Sequence, residues 1–144
     1  MLRLIGQLNE LYALTFERAE DLQRVCWSAA PSSADLSSAR LGLMSASSKR
    51  SKFLRERVYP VLMASSAAKI RELDKDLSDK RVKTSEHITR WSLVAIQADW
   101  PGYRTAVDRI LKGVESRIAM EKAIILPALY AIDKAQAGRL DGVA

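Results

Sequence analysis

The sequence predicts an all-α protein, an antiparallel up-and-down bundle of four helices. Apolar residues recur at three- and four-residue steps through four long segments. No segment sustains the apolar–polar alternation that a half-buried strand requires. Leu, Ala, Ser, Arg, Lys and Glu dominate, with six glycines and 6% aromatic residues, a balance that suits helices better than strands. At 144 residues and 48% apolar content the chain is long and apolar enough for one domain with a real core, residues 1–144. Its end, about 137–144, reads as a frayed tail.

The first helix carries Leu4, Leu8, Leu11, Leu14, Phe16, Leu22 and Val25 on one stripe. It ends before "SAAPSSADLSSA" (28–39), a loop with a new helix start that Ser33 or Asp35 would cap. The second helix runs from about Leu36 through Met44, Leu54, Val58 and Leu62 toward Leu73 and contains Pro60. The charged stretch "RELDKDLSDKRVKTS" (71–85) reads as a turn region. The third helix, "SEHITRWSLVAIQADW", begins at Thr84 or Ser85 and stops at Trp100-Pro101-Gly102. The fourth runs from about Tyr103 to Ala135, with Val107, Leu111, Val114, Ile118, Ile125 and Ala128 on one face and Pro127 inside. An interior proline costs roughly 3 kcal/mol, because it removes a backbone donor and crowds the preceding turn. Pro60 and Pro127 lie 67 positions apart, and at the same offset Arg50 pairs with Arg117, Tyr59 with Leu126, Leu62 with Leu129 and Ala64 with Ala131. Helices two and four thus read as equivalent members of two helical hairpins.

Several function classes drop out on composition. No apolar run approaches the roughly 18 residues of a membrane span, and the N-terminal stretch, with Arg3, Glu10, Glu17 and Arg18, lacks the pattern of a signal peptide. A cytoplasmic protein without a membrane partner is expected. The single Cys26 excludes an internal disulfide or a multi-cysteine metal site and reads as a packing residue. Gly6, Gly42, Gly102 and Gly113 form no phosphate-binding pattern, and no nucleophile has a base at a telling spacing, so no enzymatic activity is expected. The net charge of +6 and pI near 9.7 suit an acidic partner or a soluble, self-repelling surface. Lys49, Arg50, Lys52, Arg55 and Arg57, with Lys69, Arg71, Lys75, Lys80, Arg81 and Lys83, make the middle of the chain basic. Glu56, Glu72, Asp74, Asp76 and Asp79 interleave with them, the pattern of a solvated face, so nucleic acid is not the expected partner. Trp91 is expected in the core and Trp100 partly exposed.

"RVYPVL" and "IAMEKAIILPAL" resemble the helix-two and helix-four signatures of hemerythrin-like (HHE cation-binding) domains, and "SEHITRW" resembles the start of that family's third helix. The resemblance implies a four-helix bundle that holds two irons in its core through several His and a few carboxylates. Residue by residue, His87 matches a ligand His and Glu121 the first acidic ligand of helix four. Lys122 stands where a second acid often lies, and Arg117 replaces the helix-four His. In helix two Arg50 replaces the His and Leu54 stands at the position equivalent to Glu121, while helix one offers Leu11 or Tyr12 in place of a His. One His in the whole chain cannot build such a centre, the chain has no Glu-x-x-His motif, and two arginines at ligand positions repel cations. Loss of the di-iron site is expected, with no metal and no cofactor.

Residues 110, 114, 117, 121, 124 and 128 step along one face of helix four, and 47, 50, 54, 58 and 61 do so in helix two. Buried charges need partners, so one expectation is a polar cluster of Arg50, His87, Arg117 and Glu121 at the former metal centre. The other is that the arginines snorkel outward and His87 is a hydrogen-bonded core residue. The expected role is a non-catalytic binding or regulatory module for a protein or a small anionic ligand, with a homodimer compatible but specified by no residue. The alternatives are a sensor that keeps one cation through Glu86, His87 and Glu121, and a basic nucleic-acid-associated protein.

Overall fold

The computed structural model describes residues 1–29 and 31–142 and is helical almost throughout. In α1 (Leu2–Cys26) the buried positions are Ile5, Leu8, Tyr12, Thr15, Ala19, Leu22 and Cys26, alternating three- and four-residue steps. That is a heptad seam, and it lies beside rather than along the stripe of leucines expected from sequence: Leu4, Leu11 and Leu14 are only half-buried. Thr15 sits on the seam without cost because its hydroxyl donates to the Leu11 carbonyl at 2.8 Å.

Ser32, not Ser33 or Asp35, caps α2 (Ser33–Phe53), accepting the Asp35 N–H at 3.0 Å, while Asp35 sits in the first turn where its charge suits the helix dipole. The helix widens into a π turn at Leu54–Val58, where the Tyr59 N–H reaches the Leu54 carbonyl, and continues as α3 (Tyr59–Arg90). Pro60 explains the widening, since it offers no N–H and its ring crowds the carbonyl four residues back. The wider turn also keeps Arg50, Leu54, Val58 and Leu62 all buried at four-residue steps, a spacing that would drift round a regular α-helix.

Two sequence expectations are corrected in α3. Residues 71–85 are helix, not a turn, with Ile70, Leu73 and Leu77 buried. The chain reverses instead at Ser66, whose backbone (φ −142°, ψ 29°) interrupts the helix. The long helices are therefore 2–26, 33–65, 67–90 and 100–141. The segment from Ser85 is not the start of a helix but the end of one, closing at Trp91, and only α4 (Leu93–Ala98) follows, capped by Ser92.

Trp100-Pro101-Gly102, expected as a stop, begins α5 (Trp100–Asp141). Asp99 caps it by accepting the Gly102 N–H at 3.0 Å, and proline suits the first turn, where its missing donor has no partner to lose. A Cβ on residue 102 would collide with the Asp99 carboxylate, so the glycine is what lets the cap close. The helix continues to Asp141, past the expected fraying point, and residues 143–144 lie outside the described residues.

Contacts fix the helix directions against α5. Tyr12 meets Lys122 and Trp27 meets Arg104, so α1 is antiparallel to it. Leu73 meets Arg117 and His87 meets Tyr103, so 67–90 is also antiparallel, whereas Arg40–Tyr103 and Arg50–Glu121 make α2 parallel. Two apolar cores result. One gathers Ile5, Leu8, Leu54, Leu62, Ile70, Ile118, Ile125 and Leu129; the other gathers Ala19, Leu22, Cys26, Leu36, Leu43, Trp91, Ile96 and Tyr103. Among the described residues no strand forms and no helix is long and apolar enough to cross a membrane.

A buried Arg–Glu–Arg centre as the candidate functional site

Glu121 is fully buried on α5, one turn beyond Arg117 and opposite Arg50 of α2. Its Oε1 accepts from Arg117 Nε at 3.2 Å, and its Oε2 faces Arg50 Nε at 3.2 Å. Both guanidiniums are buried, at 4% and 2% exposure, so neither arginine snorkels to solvent. The Arg117 fork is spent on α3 as well: Nη1 donates to Asp76 Oδ2 at 2.8 Å and Nη2 to the Leu73 carbonyl at 3.1 Å. Arg50 and Arg117 thus share Glu121, and Arg117 reaches on to Asp76, which extends to solvent and also pairs with Lys80 at 3.3 Å.

Tyr12 and Tyr59 close the centre from α1 and α3. Burial pushes the Tyr12 hydroxyl far above its ordinary pKa, reinforced by Glu121 and opposed by Arg50 and Arg117. Burial likewise pushes Tyr59 up to about 12 despite the Arg117 charge. Both phenols stay neutral across the physiological range. Burial alone would raise the Asp76 carboxyl, yet hydrogen bonds from Arg117 and Lys80 outweigh it and hold the group below the usual range. Lys122, at a position where the resemblance places an acid, lies over the rings of Tyr12 (5.3 Å) and Phe16 (5.5 Å).

The satisfaction is uneven. Arg50 Nε and Nη1, Glu121 Oε2 and the hydroxyls of Tyr12 and Tyr59 are buried with no hydrogen-bond partner among the described residues. Arg50 and Glu121 thus meet as an ion pair without a hydrogen bond, while each guanidinium nitrogen of Arg117 donates one. Each unpaired buried group costs about 1–3 kcal/mol, which offsets much of what the ion pairs contribute to net stability.

His87 is not part of it. The ring stacks on Tyr103 (6.2 Å between centroids, 27° between planes) in the other core, where Trp91 and Trp100 also contact Tyr103. Tyr103 and Glu121 are about 27 Å apart along α5. The reason is register: the third helix starts at 67, so its level with Glu121 is residues 73–76, and residue 87 falls at the far end. Burial, and secondarily Arg40, lowers the His87 pKa. Glu86 is exposed on α3, so Glu86, His87 and Glu121 do not converge on one point, and no cluster of three His, Cys, Asp or Glu forms among the described residues. Cys26 packs in the same core as His87, its thiol pushed by burial up to about 11.

Asp76, Tyr12 and Tyr59 are the members that sequence reasoning did not assign to the cluster. The spacing of Ile70, Leu73 and Leu77 inside the stretch taken as a turn was the signal for Asp76, because it marks an amphipathic helix whose next position borders the core. Comparisons with family models, with curated proteins and with solved structures give no match to this chain.

Proposed function

We propose that this chain is a non-catalytic, hemerythrin-like up-and-down bundle in which the Arg50–Glu121–Arg117 centre stands where the family's metals would lie, and that it acts as a binding or regulatory module for a protein or a small anionic ligand. One observation carries this: two guanidiniums, related by the 67-residue offset of the proline segments, flank one fully buried carboxylate. The helix directions against α5 support the up-and-down arrangement, and the paired prolines support the family likeness. A centre already neutralised by internal ion pairs leaves no pair of free carboxylates for a cation, and its arginines oppose one. It also offers no base with a nucleophile in reach, which favours a binding role over chemistry.

Metal analysis of protein purified without a histidine tag, before and after incubation with iron, manganese or zinc and desalting, tests the proposal. The expected result is no stoichiometric metal in either sample. A retained equivalent of any of the three would overturn it and restore the cation-sensor alternative.

A further inference from the structure

We propose that the outer face of α2 is a sequence-independent docking face for the phosphate backbone of duplex nucleic acid. Read along the chain, the basic middle is diluted by acids; in the folded protein most of those acids fall on α3 together with Lys69, Arg71, Lys75, Lys80, Arg81 and Lys83, which leaves the cations of α2 on a helix of their own. Glu72, Asp74, Asp76 and Asp79 all lie on α3, whereas residues 36–55 contain no acid at all, an acid-free helix of about 30 Å. α2 and its π turn together hold six cations, five of them exposed or half-exposed, against Asp35 and Glu56, which lie outside that span at its two ends.

From residue 44 to residue 55 the exposed positions are Met44, Ser45, Ser48, Lys49, Lys52 and Arg55. None of these three cations forms an ion pair among the described residues. No carboxylate of the neighbouring α1 pairs with them: Glu17 and Asp21 are held by Arg18 and Arg24 of the same helix, and Glu10, the acid closest to their level, forms no ion pair among the described residues. Hydroxyls beside unpaired cations, on one rigid helix, are the side chains that contact phosphate oxygens. The choice among polyanions follows from what the cationic stretch lacks. A lipid surface needs an apolar face and a protein partner needs apolar or aromatic anchors among the charges. The exposed apolar residues of α2, Leu41 and Met44, lie N-terminal to Lys49, Lys52 and Arg55, and no exposed apolar residue is interspersed with those three. A domain pI near 9.7 is in the range of nucleic-acid binders.

The test is fluorescence anisotropy with a labelled 20-base-pair DNA duplex across a salt series, with anionic phospholipid vesicles as a second probe. Three phosphate contacts predict a slope of about −3 in log affinity against log salt, and Lys49→Glu/Lys52→Glu/Arg55→Glu should flatten it and weaken low-salt binding by roughly tenfold or more. Arg109→Glu/Lys112→Glu/Lys134→Glu removes the same charge from exposed positions on α5 and should leave most of the binding intact. All six residues are solvent-facing, and circular dichroism checks that both variants fold. Absence of duplex binding by the unmodified chain at low salt would overturn the inference. Equal loss in the two triple variants, or binding to vesicles but not to duplex, would do so too.

Discussion

His87 is the residue whose titration should be visible at near-neutral pH. Its folded pKa lies below the unfolded value of about 6.5, so the unfolded chain binds the proton more readily. Stability from this site is fully present above that value and is lost as pH falls from it through the lower folded pKa. Urea midpoints measured between pH 7.5 and 5.5 should decline, and His87→Gln, which cannot be protonated, should flatten that part of the profile. An unchanged slope in the variant would mean that burial does not disfavour the protonated His87 ring. Asp76 acts lower: its folded pKa is depressed, so its contribution is complete above the ordinary carboxylate pKa and is lost as pH falls through the folded value. Arg117 and Glu121 were legible from their four-residue spacing, and Arg50 from the offset shared with the second proline. His87 was placed wrongly because a residue's level in a bundle depends on where its helix begins, and the charged letters of 71–85 hid that beginning.

At the scale of the element, local chemistry explains what the pattern of apolar residues could not. "WPG" contains the two residues that most often break helices, yet Asp99, Pro101 and Gly102 together make a helix start. Asp99→Ala should destabilise the protein by about 0.5–2 kcal/mol through loss of the cap. Gly102→Ala should cost a similar amount because its Cβ meets the Asp99 carboxylate, and the double variant should cost little more than either single one. Additive losses would show that the two positions act separately. The number of long helices and the two prolines were readable in the sequence. The π turn and the reversal at Ser66 were not: the first answers Pro60 through the packing of Leu54 and Val58, and the second occurs in a run of small residues with no Gly or Pro to mark it.

Across the whole molecule, two apolar cores are separated in character. One surrounds the ion-pair centre, and the other holds all the aromatic contacts of Tyr103. In the first, four helical spans send a side chain to one point: Tyr12 from α1, Arg50 from α2, Asp76 from α3, and Arg117 with Glu121 from α5. Such a centre should behave as a unit. Replacing it wholesale, as Arg50→Met/Arg117→Met/Glu121→Leu, should be neutral or stabilising by about 1–4 kcal/mol, since apolar side chains of similar size avoid the desolvation of buried charge. A loss larger than that of any single variant would show that the ion pairs themselves hold the bundle together. The most direct measurement is the unfolding free energy of Glu121→Gln at pH 7, which keeps the shape and removes the one charge that both arginines face. Burial of both guanidiniums around that carboxylate predicts a loss of about 3–5 kcal/mol, because two cations are left without their shared partner in the core. A loss below about 1 kcal/mol, the level of a surface ion pair, would contradict it.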